Sequence, residues 1–248
     1  MKDISYQIET QKSPLGDRGV LGLIKAIIFD LDGTLLDSIA DIALANNKVL
    51  AGNNLPVHSV ENYIEYIGNG ARKLVQLALP ADLAADESQV NLFLAAYKKE
   101  YLQHIVVESK LYDGIPELLN FLNEQEIPFA INTNKPHDQT MLIANHLLKD
   151  FKVKSILGQK DNNPKKPDPF GALKIAEELN HTPSDILFVG DSDVDIKTAL
   201  AAGMSAVGVT WGYGKQSEMA EAGCKVFVKD AFELKTLIEK RRVLNLSK

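Results

Sequence analysis

Six short apolar runs recur along this chain, Ile24 to Phe29, Ile127 to Ile131, Val153 to Leu157, Ile186 to Val189, Ala206 to Val209 and Val226 to Val228, and they are mostly continuous rather than alternating. That continuity is the strongest constraint on the fold. A strand with one wet face alternates apolar and polar residues, whereas an unbroken run is covered on both faces, as in a parallel sheet between layers of helices. Helical patterns separate the later runs, over Pro136 to Leu148, Phe170 to Leu179 and Asp193 to Ala202. Together they predict the βαβ rhythm of a doubly wound α/β domain with a parallel sheet.

Between the first two runs the rhythm fails for about 95 residues, where a crossover needs only a dozen or so. The intervening sequence reads as helices over Ile39 to Leu50, Val60 to Ile67, Ala71 to Leu79 and Glu87 to Gln103, with breaks at Asn53, Asn54, Pro56 and Pro80. We therefore expect a small helical cap over 42–108 inserted into a catalytic core made of 23–41 and 109–248. A core helix over Tyr112 to Gln125 leads into the second strand, with Gly114 and Pro116 at its start. Residues 1–22 show no periodicity and are expected to form an extension outside the fold.

The 248 residues, 45% hydrophobic and 24% charged, suffice for a sizeable core. A net charge of −6 gives no whole-chain attraction for nucleic acid or an anionic membrane, so neither is expected as a partner and an anionic substrate must be caught locally. Cys224 is the only cysteine and reads as a buried thiol near a strand. No run reaches the roughly 20 apolar residues that span a bilayer, so the expectation is a soluble, cytoplasmic protein.

The chemistry concentrates where the predicted strands end. In an open α/β sheet, ligands bind outside the carboxyl ends of the strands. The first strand runs into Asp30-Leu31-Asp32-Gly33-Thr34, whose two acids, one residue apart, can point into the same crevice. The second runs into Asn132-Thr133-Asn134-Lys135-Pro136, read as a hydroxyl and successive N–H groups at a helix start, suited either to phosphate oxygens or to plain N-capping. The fourth delivers Gly190-Asp191-Ser192-Asp193-Val194-Asp195, in which Asp191 and Asp195, spaced by four, can face one another across the first helical turn. Such a cluster of carboxylates repels itself unless a cation sits among them, and hard oxygen ligands point to Mg²⁺. Lys166, in Pro164-Lys165-Lys166-Pro167-Asp168-Pro169, is either a presented cation or a solvated one in a stiff loop.

In this order the pieces resemble the four motifs of the haloacid dehalogenase superfamily: FDLDGTLLDS, NTNK, the KPDP lysine and GDSDVDIKTALAAGM. The helices inserted after the first motif are similar to that superfamily's type 1 cap. IGNGARKLV, YDGIPELL, TNKP and GVTWGYG further resemble phosphoglycolate phosphatases, with Trp211 where tyrosine is usual.

The resemblance implies a Mg²⁺-dependent phosphatase acting on a small phosphate monoester, best matched by 2-phosphoglycolate, through an aspartyl-phosphate. It makes Asp30 the nucleophile, Asp32 the acid and base, and Thr133 and Lys166 the phosphate-binding pair. The metal falls to Asp30, Asp191 and the backbone carbonyl of Asp32, with Asp195 behind them. Gly33, Thr34, Gly70, Arg72 and Asn134 are placed against the substrate, Gly68 beside them on the cap, and Arg72 reads either as a fork for a carboxylate or as an exposed helix residue. Nucleotidase, pyrophosphatase and sugar-phosphate mutase activities stay open as alternatives, as does a phosphoaspartate signalling domain, and the assembly is expected to be a monomer or homodimer.

Overall fold

The computed structural model describes residues 24–243. The expected 1–22 extension lies outside them. Six strands, β1 (Ala26–Phe29), β4 (Phe129–Pro136), β5 (Ser155–Gln159), β6 (Ile186–Gly190), β7 (Ser205–Val209) and β8 (Phe227–Val228), form one sheet in the order β5-β4-β1-β6-β7-β8. All five pairings are parallel.

Period-two alternation distributes the central strand over two cores. Ile27 and Phe29 belong to the face packed by α6 (Ile115–Glu124) and α11 (Ala231–Val243), alongside Ile115, Leu118, Leu234 and Ile238. Ala26 and Ile28 belong to the face packed by α8 (Phe170–Leu179) and α9 (Asp193–Ala201), with Ile175, Phe188 and Ile196. All four β1 residues are fully buried, and burying a large aliphatic or aromatic side chain contributes about 1.5–3 kcal/mol, so the strand carrying the first acids is firmly held.

The insertion is helical, as expected: α1 (Ile39–Gly52), α2 (Val60–Tyr66), α3 (Ala71–Ala78), α4 (Ala81–Ala85) and α5 (Glu87–Gln103). The five-residue α4 was not foreseen. Asp86 starts α5 by accepting from the N–H groups of Ser88 and Gln89, as an N-cap should. Tyr63, Leu74, Val90, Phe93, Tyr97 and Tyr101 are buried, giving these helices an apolar interior continuous with one face of the sheet.

Where the chain leaves and re-enters the core, β2 (Leu36–Asp37) and β3 (Lys110–Leu111) pair antiparallel. Just beyond, the buried Asp41 carboxylate accepts from the backbone N–H of Val107 at 3.0 Å, Glu108 at 3.0 Å and Ser109 at 2.9 Å, and from the Ser109 hydroxyl at 2.7 Å. The two linkers are thus clasped to one another. Among the described residues no helix is long and apolar enough to cross a membrane.

Candidate active site

Asp30, Asp32 and Asp191 sit where strands give out, and Asp195 lies in the first turn of α9 (Asp193–Ala201) just beyond. Asp30 follows β1 and still donates its N–H to Val189 on β6 at 2.9 Å. The chain then turns tightly, with Leu35 and Leu36 both donating to the Leu31 carbonyl and Gly33 at φ 83°. A Cβ on Gly33 would stand 2.2 Å from Asp191 Oδ2, so glycine is required by both conformation and space.

Asp30, Asp191 and Asp195 bring carboxylate oxygens within 4.8 Å of one another. Lys166 Nζ lies 2.6 Å from Asp195 Oδ1 and 2.8 Å from Asp30 Oδ1, at 4% exposure. Asp195 also accepts from the Ser192 hydroxyl at 2.6 Å and from its N–H at 3.1 Å, closing a capping box at the start of α9. Asp191 Oδ2 accepts from the N–H of Tyr213 at 2.7 Å and of Gly214 at 3.2 Å, while Oδ1 takes the Thr34 hydroxyl at 3.3 Å.

With all groups ionised, three carboxylates and one ammonium would leave this cluster two negative charges in excess. Burial first, then Asp195, pushes the Asp30 carboxyl up to about 8 against the pull of Lys166. Burial and Asp195 likewise push Asp191 up to about 6, opposed by the two backbone donors. Burial works against the charge on Lys166, but Asp195 and Asp30 outweigh it and hold the ammonium above its ordinary range. The residues present fit a hard divalent cation: all-oxygen donors, buried, with an excess of negative charge when ionised.

Asp32 is held apart from this cluster. Ser38 donates to its Oδ1 at 2.6 Å, and Lys135 Nζ stands 3.1 and 3.2 Å from its two oxygens. Tyr213 ties the turn to the linker: its hydroxyl accepts from the N–H of Ser38 at 2.7 Å and Ile39 at 3.1 Å and donates to Asp37 at 3.0 Å. Trp211 donates its indole N–H to the Thr34 carbonyl at 3.0 Å.

A cavity of ≈ 260 Å³ opens over these groups, between the strand ends and the helical insertion. Asp30, Asp32, Thr133, Lys166 and Asp191 line it from the core, and Gly68, Gly70 and Tyr97 from the insertion.

Other expectations need correcting. The segment 132–136 is not a helix start: β4 continues through Pro136, and α7 (His137–Ile143) begins only afterwards, so Thr133 presents its hydroxyl from a strand end rather than as a cap. Asn134 reaches the wall, but its amide is committed, donating to the carbonyls of Lys166 at 3.1 Å and Gly68 at 3.2 Å and accepting from the Lys166 N–H at 2.8 Å. It brackets the lysine loop and docks the insertion onto the core. Thr34 is fully buried and, with Gly33, backs Asp191 instead of lining the cavity. Arg72 turns onto α5, pairing with Glu87 at 3.2 Å and bonding Asn91, and does not line the cavity either.

Sequence reasoning missed Lys135, Ser38, Tyr97, Tyr213 and Gln139. For Lys135 a signal existed, because residues two apart on a strand share a face and Thr133 already pointed inward.

The chain matches the model of the haloacid dehalogenase-like hydrolases over residues 24–203. It is 36% identical over 225 residues to a phosphoglycolate phosphatase of Nitrosospira multiformis, covering 88% of this chain and 96% of that protein. A phosphoglycolate phosphatase of Aquifex aeolicus is 35% identical over 192 residues, covering 77% and 87%. Among solved structures, a predicted phosphoglycolate phosphatase from Haemophilus somnus superposes with a TM-score of 0.79 at 32% identity, covering 86% of this chain and 97% of that one.

Proposed function

The chain belongs to the haloacid dehalogenase-like hydrolases and is a phosphoric monoester hydrolase, and on that premise we propose that it cleaves 2-phosphoglycolate through a phosphorylated Asp30 with Mg²⁺ as cofactor. The observation that carries the reading is the meeting of Asp30, Asp191, Asp195 and Lys166 at neighbouring strand ends beneath a cavity that also holds Asp32.

In this reading Asp30 attacks phosphorus and the ester oxygen leaves. Asp32 hands that oxygen a proton, then takes one from the water that attacks the phosphoaspartate. Thr133 and Lys166 bind the equatorial phosphoryl oxygens, and Lys166 also steadies Asp30. Asp30, Asp191 and the Asp32 carbonyl would hold Mg²⁺, whose charge offsets that on the phosphoryl group. Asp195 keeps Lys166 in place. The helices between the two clasped linkers serve as the cap, 42–108, with Gly68 and Gly70 facing the substrate.

The all-acid form of the first motif favours hydrolysis over a phosphoaspartate receiver, since a domain that holds its phosphate has no use for a leaving-group acid. The test is phosphate release from 2-phosphoglycolate with Mg²⁺. Asp30→Asn should lower the rate by about 10³-fold or more, the order seen when a covalent nucleophile is removed, and an acid-quenched phosphoprotein should vanish with it. Undiminished release from Asp30→Asn refutes the assignment.

A further inference from the structure

The groups described so far account for the phosphoryl end of the substrate and leave the other end without a partner. With Asp32 as the acid for the ester oxygen, whatever that oxygen is attached to lies on the Asp32 side of the cavity. Arg72 is not there.

Lys135 is there, and Gln139 lines the same cavity. Lys135 is 6% exposed and lines the cavity, and its ammonium has Asp32 as its one hydrogen-bonding partner among the described residues. Its Nζ lies 4.7 Å from the centre of the Tyr101 ring, which fixes the ammonium from behind. Four residues on, Gln139 is 1% exposed and lines the same cavity, and its Nε2 has no hydrogen-bond partner. A buried amide left unpaired in a folded protein calls for an explanation, and at a residue that lines the cavity a bound ligand can supply one. An ammonium and an unused amide on one cavity complement an acceptor-rich anion better than a neutral alcohol. The cavity is small, and the phosphoryl group takes part of it.

Resting on the phosphatase reading above, we propose that Lys135 and Gln139 form the subsite for the carboxylate of 2-phosphoglycolate. Lys135 shares itself between Asp32 and that carboxylate, and Gln139 donates to its second oxygen. Specificity for an acid-bearing ester then comes from the core strand β4 and the helix after it.

The experiment measures kcat/KM of the Mg²⁺-loaded full chain on 2-phosphoglycolate, on its uncharged counterpart 2-hydroxyethyl phosphate, and on 4-nitrophenyl phosphate. The readout is the ratio of the first to the second. The wild type should favour the carboxylate by about 100-fold, the order of one charge-assisted and one ordinary hydrogen bond. The ratio should fall about 10-fold in Gln139→Leu, further in Gln139→Glu, and most in Lys135→Met. Lys135→Met also strips Asp32 of a partner and lowers turnover on every ester, so only its ratio counts. Gln139 bonds no catalytic group, and its two variants decide the matter if Lys135→Met does not fold. A wild type without preference for the carboxylate, or a ratio unchanged by both Gln139 variants, overturns the subsite while leaving the phosphatase standing. Release from none of the three esters overturns the phosphatase reading itself.

Discussion

Removing the Asp41 carboxylate is the most direct test of how the inserted helices are attached. Its side chain is completely buried and accepts four hydrogen bonds, three from consecutive backbone N–H groups of 107–109 and one from the Ser109 hydroxyl. Hydrogen bonds to a charged group contribute about 1.5–3 kcal/mol each, but they share one carboxylate and water can enter the space that alanine leaves, so a simple sum overstates the loss. Each buried donor left without an acceptor costs about 1–3 kcal/mol unless water reaches it, and with part of that cost relieved by water we expect Asp41→Ala to lose about 3–5 kcal/mol. Asp41→Asn keeps one acceptor oxygen and should cost about half as much. Urea unfolding gives the global value, and hydrogen exchange at Val107, Glu108 and Ser109 shows whether the loss is local. A change below about 1 kcal/mol in Asp41→Ala, with those three amides still protected, would refute the clasp, because it falls within the range of an ordinary surface substitution.

Two further outcomes follow from the site. Asp30 and Asp191 hold their protons more tightly folded than unfolded, so from about pH 4 to about pH 8 the chelated native state binds more protons than the unfolded chain and its stability falls as pH rises, by about 1.4 kcal/mol per unit of displacement at most. Urea midpoints with EDTA should therefore drop across that window and flatten with Mg²⁺, and a chelated profile that rises with pH contradicts the picture. A Cβ at Gly212 would stand 2.2 Å from the Gly33 carbonyl and 2.4 Å from Asp191 Cβ, so Gly212→Ala must push the acid turn aside; its phosphatase activity should fall at least about 10²-fold, the order that a misplacement of about 1 Å can bring, measured as kcat with folding monitored by circular dichroism.

The architecture was legible wherever apolar runs were unbroken. β1, β6 and β7 fall within a residue or two of the runs that announced them, because strands covered on both faces need no alternation. β2 and β3 are two residues each and have no period to read. The end of β4 was misread because Asn132 to Pro136 has the composition of a turn before a helix, and pairing with β5 out to Gln159 holds it extended instead. Arg72 shows a different limit. Its partners sit on α5, more than a dozen residues along, and nothing local reveals which of two faces an exposed helix residue will choose. Lys135 was missed for the converse reason: a lysine before a proline looks solvated until the strand is seen to run beneath the insertion and bury it.

The pairing of β2 with β3 makes the inserted helices an exchangeable part. Chain enters and leaves through one doorway, so the distance the insertion must bridge is set by the ribbon and not by what lies beyond it. Lengthening a segment whose ends are already joined costs little, about 0.6 kcal/mol per doubling for a flexible loop. A core of this kind can therefore accept a different set of helices at the same hinge while its acids, its lysine and its strand order stay as they are. The helices can change while the residues on β4 and α7 stay with the chemistry.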